Sequence, residues 1–253
     1  MFPELSIIIP AFDEEQRIGK TLEQILGFRS DSSRFGTIFQ NCEIIIVDDG
    51  SSDKTAETAE SIFSEKGDES CRVIRYKENK GKGFAVRLGL KEAKGDYAIF
   101  SDADLSTPIE EAAKLLEPLL KDECDLAFGS RALDRSLIGK HQPFRREQGG
   151  KVFNLVVRLS TGMPFWDTQC GFKAFKMSAI RPLLDLMKID RFGFDVEMLY
   201  VAYLNGLRLR EIPVRWFNDE RSKVNVLRDS IRMFSEVLEI RRKAQKGEYN
   251  GKA

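Results

Sequence analysis

Cysteine is scarce in this chain of 253 residues: Cys42, Cys71, Cys124 and Cys170 stand far apart, with no C-x-x-C pair. That spacing argues for reduced thiols in a cytosolic protein, three of them in or beside strands. An excess of one charge is also missing. Lysine plus arginine and aspartate plus glutamate number 40 each, so no global field points to a nucleic-acid partner. The one histidine, His141, reads as a loop residue rather than a metal ligand. No apolar run reaches the ~18 residues that a membrane span needs. The N-terminus has neither the basic region nor the long apolar core of a signal peptide. Together these absences predict a cytoplasmic protein. Repeats, low-complexity tracts and long linkers are lacking too, so residues 1–253 read as a single domain.

What is present is a regular alternation of short apolar runs and helical patterns. Strands are predicted at 5–10, 43–47, 72–76, 97–101 and 126–129, with helices over 14–28, 54–66, 83–93 and 108–120. Near-continuous apolar strands separated by helices imply an α/β fold whose mostly parallel central sheet is covered on both faces. The second half is less regular. Helices are expected near 147–159, 178–187 and 195–205, then a strand at 209–214 and a final helix over 226–246.

The densest chemical signal is Tyr97-Ala-Ile-Phe-Ser-Asp102-Ala-Asp104, where a strand ends in two carboxylates one residue apart. Thr107, Pro108 and Glu110 follow as an N-cap, first helical position and capping box. Alone, such a pair often only punctuates a turn. A second run, Ile46-Val-Asp48-Asp49-Gly50-Ser51-Ser-Asp53, ends another strand in the same way. Ligands of parallel sheets gather at the carboxyl ends of the strands. Two acidic strand ends therefore suggest one cleft, in which oxygen ligands hold Mg2+ or Mn2+ against a diphosphate.

Asn79-Lys80-Gly81-Lys82-Gly83 is not a dinucleotide fingerprint, because Val86 takes the third glycine position. It is either a turn approaching a phosphate or a solvated turn. Gly129-Ser130-Arg131 and Arg145-Arg146 supply guanidinium groups suited to a phosphate acceptor. Asp195 and Glu197 lie two apart, so they do not share a helix face; one can reach the cleft while the other caps. In the last helix Val226, Leu227, Ile231, Phe234, Val237, Leu238 and Arg241 recur at helical spacing among basic residues. It either lies in a headgroup plane as a peripheral membrane contact or covers its own domain's core.

Ile7-Ile-Ile-Pro10-Ala-Phe12-Asp13-Glu14, the Asp48–Asp53 run and Asp102-Ala-Asp104 together resemble the family 2 inverting glycosyltransferases. Asp167-Thr168-Gln169-Cys170-Gly171-Phe172-Lys173 and Phe194-Asp195-Val196-Glu197 resemble the dolichyl-phosphate glucosyltransferase branch. The resemblance implies a Rossmann-like GT-A fold. Residues 1–131 would bind the nucleotide sugar, 132–225 the acceptor, and 226–246 form the C-terminal amphipathic helix. It implies transfer of a hexose, glucose from UDP-glucose, to a polyprenyl or dolichyl phosphate. Alternatives are GDP-mannose as donor, a soluble saccharide or protein acceptor, or a nucleotidyltransferase. By resemblance Pro10, Phe12, Glu14, Asp48, Asp49, Lys82 and Asp102 meet the donor nucleotide, with Asp48 or Asp49 accepting from the base. Asp104, with Asp102, would bind the metal. Arg131, Arg145 and Arg146 would meet the acceptor phosphate, and Asp195 and Arg131 would be catalytic. Segment 218–223, with Arg221 and Lys223, resembles the family's closing segment. Trp166 and Trp216 are either sugar platforms or core.

Overall fold

The computed structural model describes residues 3–31, 37–219 and 226–251. The runs at β1 (Leu5–Ala11) and β2 (Cys42–Asp48) are buried at every residue, and β4 (Tyr97–Ser101) at all but its first. With β3 (Cys71–Arg75), β5 (Leu126–Ser130), β7 (Phe172–Lys176) and β8 (Leu209–Pro213) they form one sheet, in the order β3-β2-β1-β4-β7-β5-β8. Every pairing is parallel except those of β7, which runs antiparallel between β4 and β5. Strand period sorts the isoleucines between two cores. Ile7, Ile9, Ile44 and Ile46 pack under α1 (Ile18–Ser30) and α4 (Ala112–Leu120), with Leu22 and Leu115. Ile8, Ile45 and Val47 pack on the other face with α3 (Lys82–Glu92), α5 (Phe144–Thr161) and α7 (Phe194–Leu204), through Val86, Phe153 and Val196. The helix α2 (Thr55–Lys66) lies beside α1 and β3.

Strand β7 has no counterpart in the sequence reading. Its run Phe172-Lys-Ala-Phe-Lys176 is short and carries two lysines, one of them wholly buried. Its direction matters for the site. Being antiparallel, it brings its own N-terminus to the edge where β4 and β5 end: Phe172 pairs with Ser101, and Gly171 O accepts from Asp102 N at 3.0 Å.

Three other expectations are corrected. The first helix starts at Ile18 rather than at 14, because the preceding turn is fastened elsewhere. Asp13 has φ +51°, its amide donates to Ser51 Oγ, and Glu14 N donates to Thr55 Oγ1 at 2.7 Å. The capping box at 107–110 does not form. Pro108 is extended, a 3-10 turn covers Ile109–Glu111, and no side chain caps α4. Thr107 is buried instead, with its hydroxyl 3.8 Å from Cys170 Sγ. The helix expected at 178–187 stops after α6 (Met177–Ile180) and a 3-10 turn, where Pro182 disfavours continuation.

The final helix, α8 (Val226–Gln245), turns part of its apolar face inward. Val237 and Ile240 are buried, and Phe234 meets Phe153 of α5 edge-on, with ring centroids 5.4 Å apart. These residues of the helix cover the core, while Leu238 stays exposed. A two-stranded sheet of β6 (Ile138–Lys140) and β9 (Trp216–Phe217) completes the described chain. Among the described residues no helix is long and apolar enough to cross a membrane.

Candidate active site at the carboxyl edge of the sheet

The chain leaves β1 toward β2 and β3 on one side, and returns to β4 on the other. That reversal makes the β1/β4 boundary a topological switch point, where parallel sheets open a crevice. Asp48 ends β2 and Asp102 follows β4, two strands and about 10 Å apart. The two acidic runs thus share one edge.

The two aspartates after β2 differ in use. Asp49 accepts from Tyr76 Oη (2.8 Å), Asn79 Nδ2 (3.0 Å), Lys80 N (2.7 Å) and Gly81 N (2.8 Å). Four donors fill a carboxylate, and through them Asp49 anchors the 79–81 turn. Asp48 is wholly buried; Oδ1 accepts from Ser51 N, and Oδ2 lies 3.1 Å from Arg75 Nε without a hydrogen bond. Its partners Ser51 and Arg75 line an open cavity of about 420 Å3, together with Tyr76 and Lys77. Pro10 is buried within β1, past the last residue that pairs with β4. Phe12 is exposed, and Glu14 is turned to Arg17.

The glycines around Lys82 serve backbone packing rather than an open phosphate loop. Gly81 has φ +114°, and a Cβ there would meet Asp190 O at 2.3 Å. A Cβ on Gly83 would meet Phe194 Cβ at 2.5 Å. The first turn of α3 therefore sits against the loop that leads into α7. From it Lys82 reaches across to Asp102, with Nζ 2.5 Å from Oδ1. Burial pulls the Lys82 amine down, but the charges of Asp102, Asp195 and Asp104 prevail and hold it above its usual range.

Asp104 accepts from Ser106 N at 2.8 Å, and between them Leu105 has φ +46°, a strained conformation for leucine. Burial, reinforced by the charge of Asp102, pushes the Asp104 carboxyl above its usual range. Two carboxylates crowded at unfavourable cost fit a divalent cation, which commonly takes one or two carboxylates and completes its shell with phosphate oxygens. Among the described residues no three His, Cys, Asp or Glu side chains gather as a complete protein-only metal site. Asp104 also walls an open cleft of about 660 Å3, with Arg17, Lys20, Lys140 and Asn218. Arg17 had no signal in the sequence beyond its i,i+3 spacing from Glu14. It pairs with Glu14 and, at 3.3 Å, with Asp219.

On the other flank, Arg131 is held bidentately by Asp167: Nε to Oδ2 at 2.7 Å and Nη2 to Oδ1 at 2.8 Å. The guanidinium lies 5.5 Å from the ring of Trp216, which is buried. Arg146, from the first turn of α5, is lowered by burial and by the positive charge of Arg131, so the two cations act on one another. The side chain of Arg145, and Arg221 and Lys223, lie outside the described residues. Asp195 is buried and receives Lys173, which is inaccessible to solvent and also donates to Cys170 O at 2.6 Å. Glu197 does not cap α7, contrary to the expectation: no side chain caps that helix. The buried Glu197 carboxylate instead accepts from Lys188 N, Ile189 N (2.8 Å) and Tyr249 Oη (2.6 Å), tying the preceding loop and the C-terminal segment to the helix.

The model of the glycosyl transferase family 2 domain matches residues 6–184. A dolichyl-phosphate beta-glucosyltransferase from Drosophila melanogaster is 39% identical over 230 residues, 87% of this chain and 69% of that protein. One from Homo sapiens is 32% identical over 94% of this chain and 75% of its own length. Among solved structures, glucosyl-3-phosphoglycerate synthase from Mycobacterium tuberculosis, in complex with UDP, superposes with a TM-score of 0.64 at 18% identity, over 95% of this chain and 80% of that one. A mannosyltransferase from Pyrobaculum calidifontis, in complex with GDP-Man and Mn2+, gives 0.66 at 20% identity, over 100% and 66%. At those identities the structural likeness supports the GT-A-like fold alone. With the sequence matches and the acidic crevice at the switch point, it follows that this chain belongs to glycosyl transferase family 2 and is a glycosyltransferase.

Proposed function

We propose that the enzyme transfers glucose from UDP-glucose to a polyprenyl phosphate of the dolichyl phosphate type, with inversion. The reading is supported by relatives at 31–39% identity that bear the name dolichyl-phosphate beta-glucosyltransferase. It is supported also by a structural neighbour in complex with Mn2+ and UDP-glucose. The observation that carries it is the separation of charge around one sheet edge: carboxylates at Asp102 and Asp104 after β4, and after β5 the guanidinium of Arg131, whose charge acts on Arg146 in the first turn of α5.

Asp48 accepts from the base, next to the cavity lined by Ser51 and Arg75. Asp104 and Asp102 hold Mg2+ or Mn2+, which when bound supplies Lewis-acid stabilisation of the departing diphosphate. Lys82, paired to Asp102 in the free protein, adds a positive charge beside that leaving group. Arg131 and Arg146 orient the acceptor phosphate. A phosphate monoester is largely ionised at neutral pH, with its second pKa near ~6, so it needs positioning more than a base. Asp167 fixes the plane of the Arg131 guanidinium, and its remaining N–H groups stay available. Asp195, steadied by Lys173, shapes the space between donor and acceptor.

The test is a donor and acceptor screen. Purified enzyme with Mn2+ should label polyprenyl phosphate from UDP-glucose and leave soluble oligosaccharides unlabelled. Label from GDP-mannose alone, or into oligosaccharide alone, would overturn the assignment.

A further inference from the structure

Val237 and Ile240 of α8 are taken up by the core, but α5 carries an apolar face that is not. Phe144, Val152, Leu155 and Leu159 fall within about 80° of one another at 100° per residue, and all are exposed, Phe144 and Leu159 by three quarters. The opposite side of the same helix is in the core through Phe153 and Val157. Just beyond its C-terminus Trp166 is also exposed, with the Arg158 guanidinium 3.9 Å from its ring. Four apolar side chains in a row along some 22 Å of helix are unusual on a solvated surface.

Their surroundings are basic. Residues 131–161 hold seven lysines and arginines against two acidic residues, a net +5 in a chain whose net charge is zero. Lys151 and Arg158 flank the stripe on one side, and Arg135 lies nearby through its pair with Glu147. An apolar helix face bordered by cations, with an exposed tryptophan at one end, matches the chemistry of an anionic bilayer surface: acyl chains below, phosphates around. Arg146 connects this face to the site, because it lies in the first turn of the same helix, two residues after Phe144 of the stripe, and within the influence of the Arg131 charge.

We propose that α5 seats the enzyme on an anionic lipid bilayer, with its outward stripe in the acyl boundary and Arg146 at headgroup depth. This rests on the lipid-phosphate reading, and says where the membrane lies relative to the catalytic crevice. A phosphate held at the headgroup level reaches Arg131 and Arg146 while its polyprenyl chain stays in the bilayer.

The full chain is sedimented with vesicles of phosphatidylcholine and phosphatidylglycerol in equal parts, and with phosphatidylcholine alone. Compared are wild type, Leu155→Glu/Leu159→Glu on α5, and Leu238→Glu, an exposed leucine on α8. Wild type and Leu238→Glu should bind the mixed vesicles and bind the neutral ones more weakly. The double variant should lose partitioning by about tenfold or more. In solution it should still glucosylate a short-chain, water-soluble prenyl phosphate at the wild-type rate, which also verifies its folding. Equal sedimentation of wild type and double variant overturns the proposal, as does a wild type that stays in the supernatant. A dimer abolished by the double substitution, without vesicle binding, overturns it in favour of a second copy as occupant. Because the vesicle assay contains no sugar donor, vesicle binding without transfer would count against the lipid-phosphate reading alone.

Discussion

At the scale of single residues, the site is marked by charges that the fold holds at a cost. Asp104 shows the sign of that cost. Its carboxyl is raised above the usual range, so at neutral pH the ionised form opposes folding. Asp104→Asn should therefore leave thermal stability unchanged or raise it, while the turnover number falls about 100-fold or more. A stability loss equal to that of a core substitution would contradict this. Lys173 presents the opposite case. It is buried and donates to a buried carboxylate, so Lys173→Met leaves Asp195 uncompensated and should cost about 3–5 kcal/mol in urea unfolding. The further change Asp195→Leu should recover part of that stability without restoring transfer. The four cysteines are chemically quiet by comparison: burial pushes Cys42 up to about 12, and Cys71, Cys124 and Cys170 to about 11.

At the scale of elements, the junctions between helices and loops carry the precision. Gly81 combines a left-handed φ with a carbonyl where a Cβ would go, whereas Gly67 has a left-handed φ and open space around it. Gly81→Ala should thus cost about 2–3 kcal/mol and weaken nucleotide binding; Gly67→Ala should cost about 1 kcal/mol and leave binding alone. Equal costs would mean that packing against Asp190 is unimportant. A second junction ties α1 to the turn before β3, through Arg29 and Asp68. Burial opposes ionisation of Asp68, but hydrogen bonds from Ser70 and Arg29 outweigh it and hold the carboxyl at about 2. Its folded value is depressed, so its contribution is complete above the ordinary value of 3.8 and is lost as pH falls toward 2. Acid titration of stability should show a loss on the order of 1–2 kcal/mol over that window, absent in Asp68→Asn.

At the scale of the whole molecule, the proposed donor site would couple binding to folding, since its residues come from β1, β2 and the loop after β4, which meet at the switch point. UDP with Mn2+ at about 100 times its dissociation constant should stabilise the protein by about 2.7 kcal/mol, a rise of about 5–10 °C in Tm. Either component alone should give less, and in Asp104→Asn the Mn2+-dependent part should vanish.

The parallel core was legible because unbroken apolar strands and intervening helices admit few arrangements. Residues 5–130 fixed strand and helix order in this way, and acidic strand ends in a parallel sheet can only share its carboxyl edge. Tertiary structure alone decided what chemistry those residues are free to do. A sequence does not reveal that an antiparallel β7 inserts beside β4, since Phe-Lys-Ala-Phe-Lys has no pattern that favours burial of Lys173. Nor could it tell that Asp49 spends its acceptors on the 79–81 turn while Asp48 keeps one oxygen without a hydrogen bond. The same holds for the two amphipathic helices. Hydrophobic periodicity says that a helix has an apolar face, but only packing determines whether that face meets the core, as at Val237 and Ile240 of α8, or stays open, as in α5. Local chemistry is carried by residue type, whereas partner choice depends on contacts between segments far apart in the chain.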